Sequence, residues 1–290
     1  MRFIRKRRSR EDVIKIKEPL GINGQRVPLL YFPLLEENGL VKHCFTTREG
    51  GVSQEIFRSL NLSFTRGDRD EDVMENYKIL ASAMGVELDR FVLADQTHTT
   101  NVRVVIETDA GKGLMKPMDY QDVDGLITNV PGLVLSTFFA DCTPLYFVDP
   151  VHKAIGMSHS GWRGTVGRMG KVTLDAMAEA YGTKPEDVLC AIGPSICQDC
   201  YEISLDVAIR FYHEFPDHGF DILRDEGNGK YKLDLWKANE IVLLEAGFLP
   251  EHLSVTDICT CCNGQLLFSH RATHGKRGNM GGFLWLNDGV

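Results

Sequence analysis

Short apolar runs alternate along the chain with polar, glycine-containing breaks, and the spacing inside each run sets the element it predicts. Val73, Tyr77, Leu80 and Met84 fall on one helical face, which predicts a helix from Asp70 to Met84 stopped by Gly85. Around it, β-branched and aromatic runs at Val27–Phe32, His43–Thr47, Phe91–Ala94 and Val102–Ile106 predict strands. Gly125–Thr128, Val134–Phe139, Leu145–Val148 and Ala154–Met157 follow in close succession. The central runs are apolar at nearly every position, as in strands covered on both faces. Gly161-Trp162-Arg163-Gly164 then opens a helix predicted to run to Tyr181, with Val166, Met169, Thr173, Ala176 and Ala180 on one face and Gly182 at its end. Beyond it, strands are expected at Val188–Ile192, Leu253–Ile258, Leu266–Phe268 and Gly282–Leu286, and helices at Ser204–Phe215 and Leu235–Ala246.

Helices and strands mix without a regular βαβ beat, and no Pro/Gly/Ser-rich linker divides them. The expectation is a single α/β domain with a mixed sheet over residues 21–290, preceded by a basic, solvated N-terminal arm over residues 1–20. That arm holds Arg2, Arg5, Lys6, Arg7, Arg8 and Arg10. The whole chain is nevertheless acidic: 32 Lys+Arg against 40 Asp+Glu give a net charge of −8 over 290 residues. A nucleic-acid partner is therefore not expected. No apolar run follows the basic arm and none is long enough to span a bilayer, so the chain reads as cytoplasmic and without a membrane partner. Neither a Rossmann Gly-x-Gly-x-x-Gly nor a P-loop Gly-Lys-Ser/Thr occurs, which removes the usual sequence support for dinucleotide and ATP chemistry.

Candidate chemistry begins at Ala140-Asp141-Cys142-Thr143-Pro144, where an acid, a thiol and a proline interrupt an apolar stretch. His159 ends the following strand, and Gln96-Thr97-His98 ends an earlier one. If these strand ends share one edge, His98, Cys142 and His159 converge as two imidazoles and a thiolate, a catalytic-type set of three ligands with one position open. Zn2+ suits this set, and Cu2+ is compatible with its softness. Two other readings stay open: a buried free thiol with two hydrogen-bonded histidines, and a cysteine nucleophile with His159 or His98 as its base. The Gly161–Gly167 turn offers backbone N–H groups and Arg163 to an anion, and Arg48, in a second glycine-rich turn, is a candidate for the same anion. For each turn the alternative is purely structural. Trp162, Trp236 and Trp285 read as core residues.

Eight cysteines in a chain without an export signal point to thiols or metal ligands rather than a disulfide framework. Cys197-x-x-Cys200 with Cys259-x-Cys261-Cys262 suggests a tetrathiolate zinc site or a redox pair. The second group is read as lacking the Cys-x-x-Cys spacing of zinc ribbons, which leaves inert thiols as the expectation. His270 and His274 lie close by in sequence and keep a second metal site formally open.

Taken together, several motifs resemble the YfiH/YlmD family of laccase-domain proteins, also described as purine nucleoside phosphorylases. The resemblance covers about His43 to Leu286. It rests on His43-Cys-Phe-Thr-Thr-Arg-Glu-Gly-Gly-Val-Ser53, Ser59-Leu-Asn-Leu62, Glu75-Asn76, Gln96-Thr-His98, Asp124-Gly-Leu-Ile-Thr128, Ala140-Asp-Cys-Thr-Pro144, His159-Ser-Gly-Trp-Arg-Gly164, Gly193-Pro-Ser-Ile196 and Tyr201-Glu202. It implies packed mixed sheets flanked by helices, and a zinc or copper ion held by His98, Cys142 and His159. It also implies phosphorolysis of adenosine, inosine, guanosine and methylthioadenosine to base and pentose 1-phosphate, with adenosine deaminase activity. Cys142, His98 and Asp141 are then the catalytic candidates, Asp141 as proton carrier or as a carboxylate orienting a histidine. Arg48, Asn61, Arg163, Arg271 and Arg277 are the candidates for binding substrate and phosphate. The family's C-terminal Ser-Tyr-Arg-Arg and Thr-Gly-Arg elements are replaced here by Ser269-His-Arg-Ala272 and Gly275-Lys-Arg277, which retain both arginines in register.

Competing expectations are a laccase-like copper oxidoreductase acting on phenols, a cysteine hydrolase, and a non-enzymatic assembly module using the basic arm. A monomer or small homo-oligomer is expected.

Overall fold

A computed structural model describes residues 2–6, 13–37, 39–287 and 289. Two six-stranded mixed sheets and one three-stranded sheet carry the architecture. The first sheet runs in the order Lys15–Lys17, Leu29–Tyr31, Val41–Thr46, Met280–Leu286, Val134–Phe139, Phe91–Leu93. The second runs Leu253–Val255, Leu189–Ile192, Thr143–Asp149, Ala154–Ser160, Gly125–Thr128, Val102–Val104.

Period-two alternation explains how they stack. In Val134–Phe139, Leu135 and Phe139 enter a core shared with Tyr146, Val148, Ile155 and Met157 of the second sheet, while Val134 and Phe138 face the other way. There the helix Asp70–Met84 covers them with Val73, Tyr77 and Leu80. Likewise Leu145 and Phe147 leave the inter-sheet core to meet Leu174 and Met177 of the helix Met169–Tyr181. The result is a helix–sheet–sheet–helix sandwich. Each fully buried Leu or Phe in these layers contributes roughly 1.5–3 kcal/mol by leaving water. Tyr146, buried between the sheets, donates its hydroxyl to the Cys44 carbonyl at 3.0 Å and so ties one sheet to the other.

The helix at Asp70–Met84 and the strands Gly125–Thr128 and Val134–Phe139 lie where the pattern predicts, and Gly85 ends the helix in the left-handed conformation. Other elements differ. The helix expected from Gly161 to Tyr181 is two helices, Trp162–Val166 and Met169–Tyr181. They break at Gly167 and Arg168, where Arg168 has φ +56° and its guanidinium bonds Glu214 and Glu245. Leu266–Phe268 is loop, not strand; Leu267 and Phe268 are buried there without a ladder, and Leu266 is half-buried. Pro144 does not break the polar interruption into separate elements. It is the second residue of Thr143–Asp149, and its carbonyl accepts from the Gly193 amide at 2.8 Å.

The strands Lys15–Lys17, Leu223–Gly227 and Lys230–Leu233 escaped the apolar pattern because they are mostly charged and exposed. The last two form a hairpin on Asn228-Gly229, both at positive φ, and that dipeptide is a hairpin signal in its own right.

The N-terminal arm, expected to be solvated, is docked where it is described. Phe3 is buried, Arg5 pairs with Asp257 at 3.0 Å, and Asn263 exchanges hydrogen bonds with the Ile4 backbone. Arg7, Arg8 and Arg10 lie outside the described residues. Among the described residues no helix is long and apolar enough to cross a membrane.

Candidate metal centre and substrate cavity

Three strand ends meet at one edge of the sandwich. Cys142 precedes Thr143–Asp149, and the adjacent strand Ala154–Ser160 runs antiparallel to it, so that its His159 lies opposite Pro144. His98 sits in the turn after Phe91–Leu93 and is held there by a buried carboxylate. Asp124 accepts the backbone N–H groups of Thr97, His98 and Thr99 at 3.1, 3.2 and 2.8 Å. This supports a φ of +69° at His98, a conformation a non-glycine residue keeps only when its surroundings impose it.

Asp124 also meets His159 Nδ1 at 2.7 Å, which turns Nε2 toward Cys142. Burial pushes the Asp124 carboxyl up, but its bonds to His159 and Thr99 outweigh this and hold it below the usual range. The candidate ligand atoms of His98, Cys142 and His159 lie within 4.8 Å of one another, with Cys142 Sγ 4.0 Å from His98 Nε2. The two imidazoles stand edge to face with centroids 4.9 Å apart. Burial pushes the Cys142 thiol up, yet the charge and hydrogen bond of His159, with the smaller contribution of His98, bring it down to about 6. His159 moves oppositely: burial pulls it down, and the Cys142 thiolate and the Asp124 carboxylate raise it to about 9. A thiolate beside two imidazoles is a borderline-soft donor set that suits zinc or copper. Gly161 keeps it open, since a Cβ there would stand 2.9 Å from Cys142 Sγ.

Two lobes, each about 300 Å³, open on this cluster and share Arg66, His98, Ala140, Cys142 and Arg277. One mixes apolar and polar lining: Leu62, Phe64, Leu93, Met118 and Phe138 stand in its wall beside Asp95, Gln96 and the shared Arg66 and Arg277. Asn279 lines it too, and its carbonyl oxygen is buried without a donor. The other lobe is cationic. Arg66, Arg163, Arg271 and Arg277 all line it, and among the described residues none of the four pairs with a carboxylate. Burial and the nearby Arg66 pull Arg277 down to about 10, and its Nε has no partner. Arg163 and Arg210 stack over the Trp162 ring at 4.4 and 5.9 Å, so Trp162, half-buried and packed against the core around Leu235 and Trp236, is also a cation platform in the cavity wall.

The other predicted residues fall into place around this cavity. Asp141, at φ +94°, directs one oxygen to the Thr260 hydroxyl at 2.6 Å and the other to the Arg271 N–H at 2.7 Å. Arg271 reaches the Glu202 carbonyl at 2.9 Å. Arg48 and Asn61 do not line either lobe. The Arg48 guanidinium donates to the carbonyls of Arg58 and Gly264 and lies over the Phe268 ring. Asn61 is fully buried and braces Ser63, Asp68 and Asn279. The helix that opens at the Gly161 turn, where an anion site was expected, is five residues long, and its Arg163 lines the cationic lobe. His270 lines the cationic lobe, and neither it nor His274 joins a metal cluster among the described residues.

Sequence reasoning missed Asp124, Arg66 and Asn279. Only Asp124 had a signal, an acid directly before the buried strand Gly125–Thr128.

The chain belongs to the family described as multi-copper polyphenol oxidoreductase laccase, whose model matches residues 42–287. It is 36% identical over 245 residues to the purine nucleoside phosphorylase YlmD of Bacillus subtilis, covering 84% of this chain and 88% of that protein. It is 33% identical over 229 residues to an adenosine deaminase, RL5, from an unknown prokaryotic organism, covering 78% and 87%. Among solved structures, the hypothetical protein YfiH of Bacillus licheniformis matches with a TM-score of 0.88 at 31% identity, over 96% of this chain and all of that one.

Proposed function

We propose that this protein is a metal-dependent purine nucleoside phosphorylase, converting adenosine, inosine, guanosine or methylthioadenosine and phosphate to free base and pentose 1-phosphate, with adenosine deamination as a second activity of the same site. The observation that carries the reading is the meeting, at the His98, Cys142 and His159 cluster, of a lobe walled in part by Phe64, Met118 and Phe138 with a lobe lined by four guanidinium groups, none of them paired with a carboxylate among the described residues. The relatives named above point the same way.

In this reading the cationic lobe takes phosphate. Arg277 and Arg163 offer donors that match a phosphate's oxygens, and Arg66 and Arg271 add charge, the Arg271 guanidinium being held to the wall by the Cys200 and Glu202 carbonyls. The other lobe takes the purine between Phe64, Phe138 and Met118, and the Asn279 carbonyl meets an N–H or amino group on its edge. The sugar then lies between the lobes, with its anomeric carbon facing the phosphate. A phosphate oxygen attacks that carbon, and the base departs with the electron pair of the glycosidic bond. Fixed guanidinium groups lower the barrier by holding phosphate against a developing oxocarbenium ion. Asp141, with both oxygens already accepting, positions Arg271. His98, Cys142 and His159 would hold a zinc or copper ion, which supplies a Lewis acid and an activated water for deamination.

Phosphate-dependent release of base from adenosine, inosine and methylthioadenosine tests this, comparing wild type with Cys142→Ala and His98→Ala. Both variants are expected to lose the activity. A metal-loaded, folded wild type that releases no base overturns the proposal.

One observation favours a second reading: a thiol lowered to about 6 beside a raised imidazole is also what a cysteine hydrolase needs. Rapid alkylation of Cys142 by iodoacetamide that zinc does not slow would support it. The two imidazoles of the cluster are far fewer than a multicopper oxidase requires, which disfavours phenol oxidation.

A further inference from the structure

Two turns outside the catalytic cluster bring four thiols together. Cys197 caps the short helical turn Gln198–Cys200, and Cys259 bridges to Ser195 to begin the turn that reaches Cys262. The second turn therefore does carry Cys-x-x-Cys spacing, Cys259-Thr-Cys-Cys262, contrary to the reading from sequence, and Cys261 stands outside the group. All four thiols are free, and their sulfur atoms lie within 4.8 Å of one another. We propose that Cys197, Cys200, Cys259 and Cys262 form a second, structural metal site that binds zinc as a tetrathiolate.

Sulfur spacing is the first support. A tetrahedral ion with metal–sulfur bonds of about 2.3 Å sets sulfur–sulfur edges of about 3.8 Å. Here Cys197 and Cys262 are 4.0 Å apart, and Cys200 and Cys262 are 3.5 Å apart. The backbone is the second. The amides of Cys262 and Cys197 both point at Cys259 Sγ, at 3.4 and 3.3 Å, as donors do that stabilise a thiolate. Four thiols aimed at one point have only weak S–H donors to satisfy each other, whereas a soft divalent ion satisfies all four by displacing their protons.

The site would pin two segments that wall the cationic lobe. Ile196 and Tyr201 flank the first turn and line the lobe, and Arg271 bonds the carbonyls of Cys200 and Glu202 across to it. Thr260, inside the second turn, holds Asp141. A metal here acts on the cavity by position alone, and the inference is independent of the reaction proposed above.

Zinc analysis of the full chain carrying His98→Ala and Cys142→Ser decides it, because those changes dismantle the first cluster. After purification under reducing conditions and reconstitution with zinc, this variant should retain about one equivalent, with X-ray absorption showing four sulfur neighbours at about 2.3 Å. Adding Cys200→Ser and Cys262→Ser should remove that equivalent. Should the added changes unfold the chain, the sulfur coordination measured in the first variant still decides. Absence of zinc from the first variant overturns the proposal, as does a shell with nitrogen or oxygen in place of the sulfurs. A Cys200–Cys262 disulfide as the resident state of the protein isolated without reductant would overturn it too.

Discussion

Asp124 Oδ1 lies 2.7 Å from His159 Nδ1 while the same carboxylate gathers three consecutive amides of the Thr97–Thr99 turn. One buried acid thus orients one histidine of the cluster through its ring and another through its backbone. Asp124→Asn replaces an acceptor with an amide that must aim a donor at N–H groups. Metal affinity of the cluster is expected to fall about 10–100-fold, with base release falling alongside. Competition with a chelator of known affinity measures the first; unchanged affinity would deny Asp124 this role.

Gly161 supplies a steric test that leaves the backbone alone. Its φ of −74° suits alanine, but the added Cβ would press on Cys142 Sγ at 2.9 Å. Gly161→Ala should therefore reduce metal binding and base release while the melting temperature changes little. A variant with full metal content and activity would show that the thiol has room to spare.

Arg277 is buried and forms no ion pair with a carboxylate among the described residues, so phosphate is expected to depend on it heavily. Arg277→Lys keeps the charge and loses the fork. The KM for phosphate should rise about 10–100-fold, corresponding to the loss of a charged hydrogen bond, with a smaller change for nucleoside. Equal changes in both constants would place Arg277 outside the phosphate site.

Far from the cavity, His43 couples the fold to pH. It is buried against Phe32, Tyr31 and Tyr146, and its Nε2 accepts the Phe32 N–H at 2.8 Å. Burial pulls its pKa from 6.5 to about 3, with Lys17 adding to the shift. A depressed folded value means that the unfolded chain takes up the proton first. The stability His43 contributes is therefore complete above pH 6.5 and is lost as pH falls toward 3, by about 1.4 kcal/mol per unit. His43→Gln, whose amide oxygen can accept the same N–H, should flatten that slope in urea titrations between pH 6.5 and 4. An unchanged slope would assign the acid sensitivity to other groups.

The sequence made the cluster legible because each ligand interrupts an apolar strand end, where a polar residue needs a reason. It made Asp70–Met84 legible because one apolar stripe suffices to define a helix. The guanidinium groups were less readable, since arginine spacing carries no information about which fork is already satisfied: Arg48 donates from both Nε and a terminal nitrogen to carbonyls, while Arg277 donates one terminal nitrogen to the Gly278 carbonyl and leaves Nε without a partner among the described residues. Arg66 and Asn279 lie in loops, and only the third dimension brings them to the cavity. The second thiol group was misread by pairing Cys259 with Cys261 instead of with Cys262. Charged edge strands such as Leu223–Gly227 hid because their stability comes from neighbours rather than from an apolar face.

The strand Met280–Leu286 sits between Val41–Thr46 and Val134–Phe139, in the middle of the first sheet. Until the ribosome has made and released these residues, that sheet is two separate halves with bare edges facing one another. The protein must therefore complete its fold after translation has passed residue 286, and its exposed strand edges during that interval are where a chaperone would matter most.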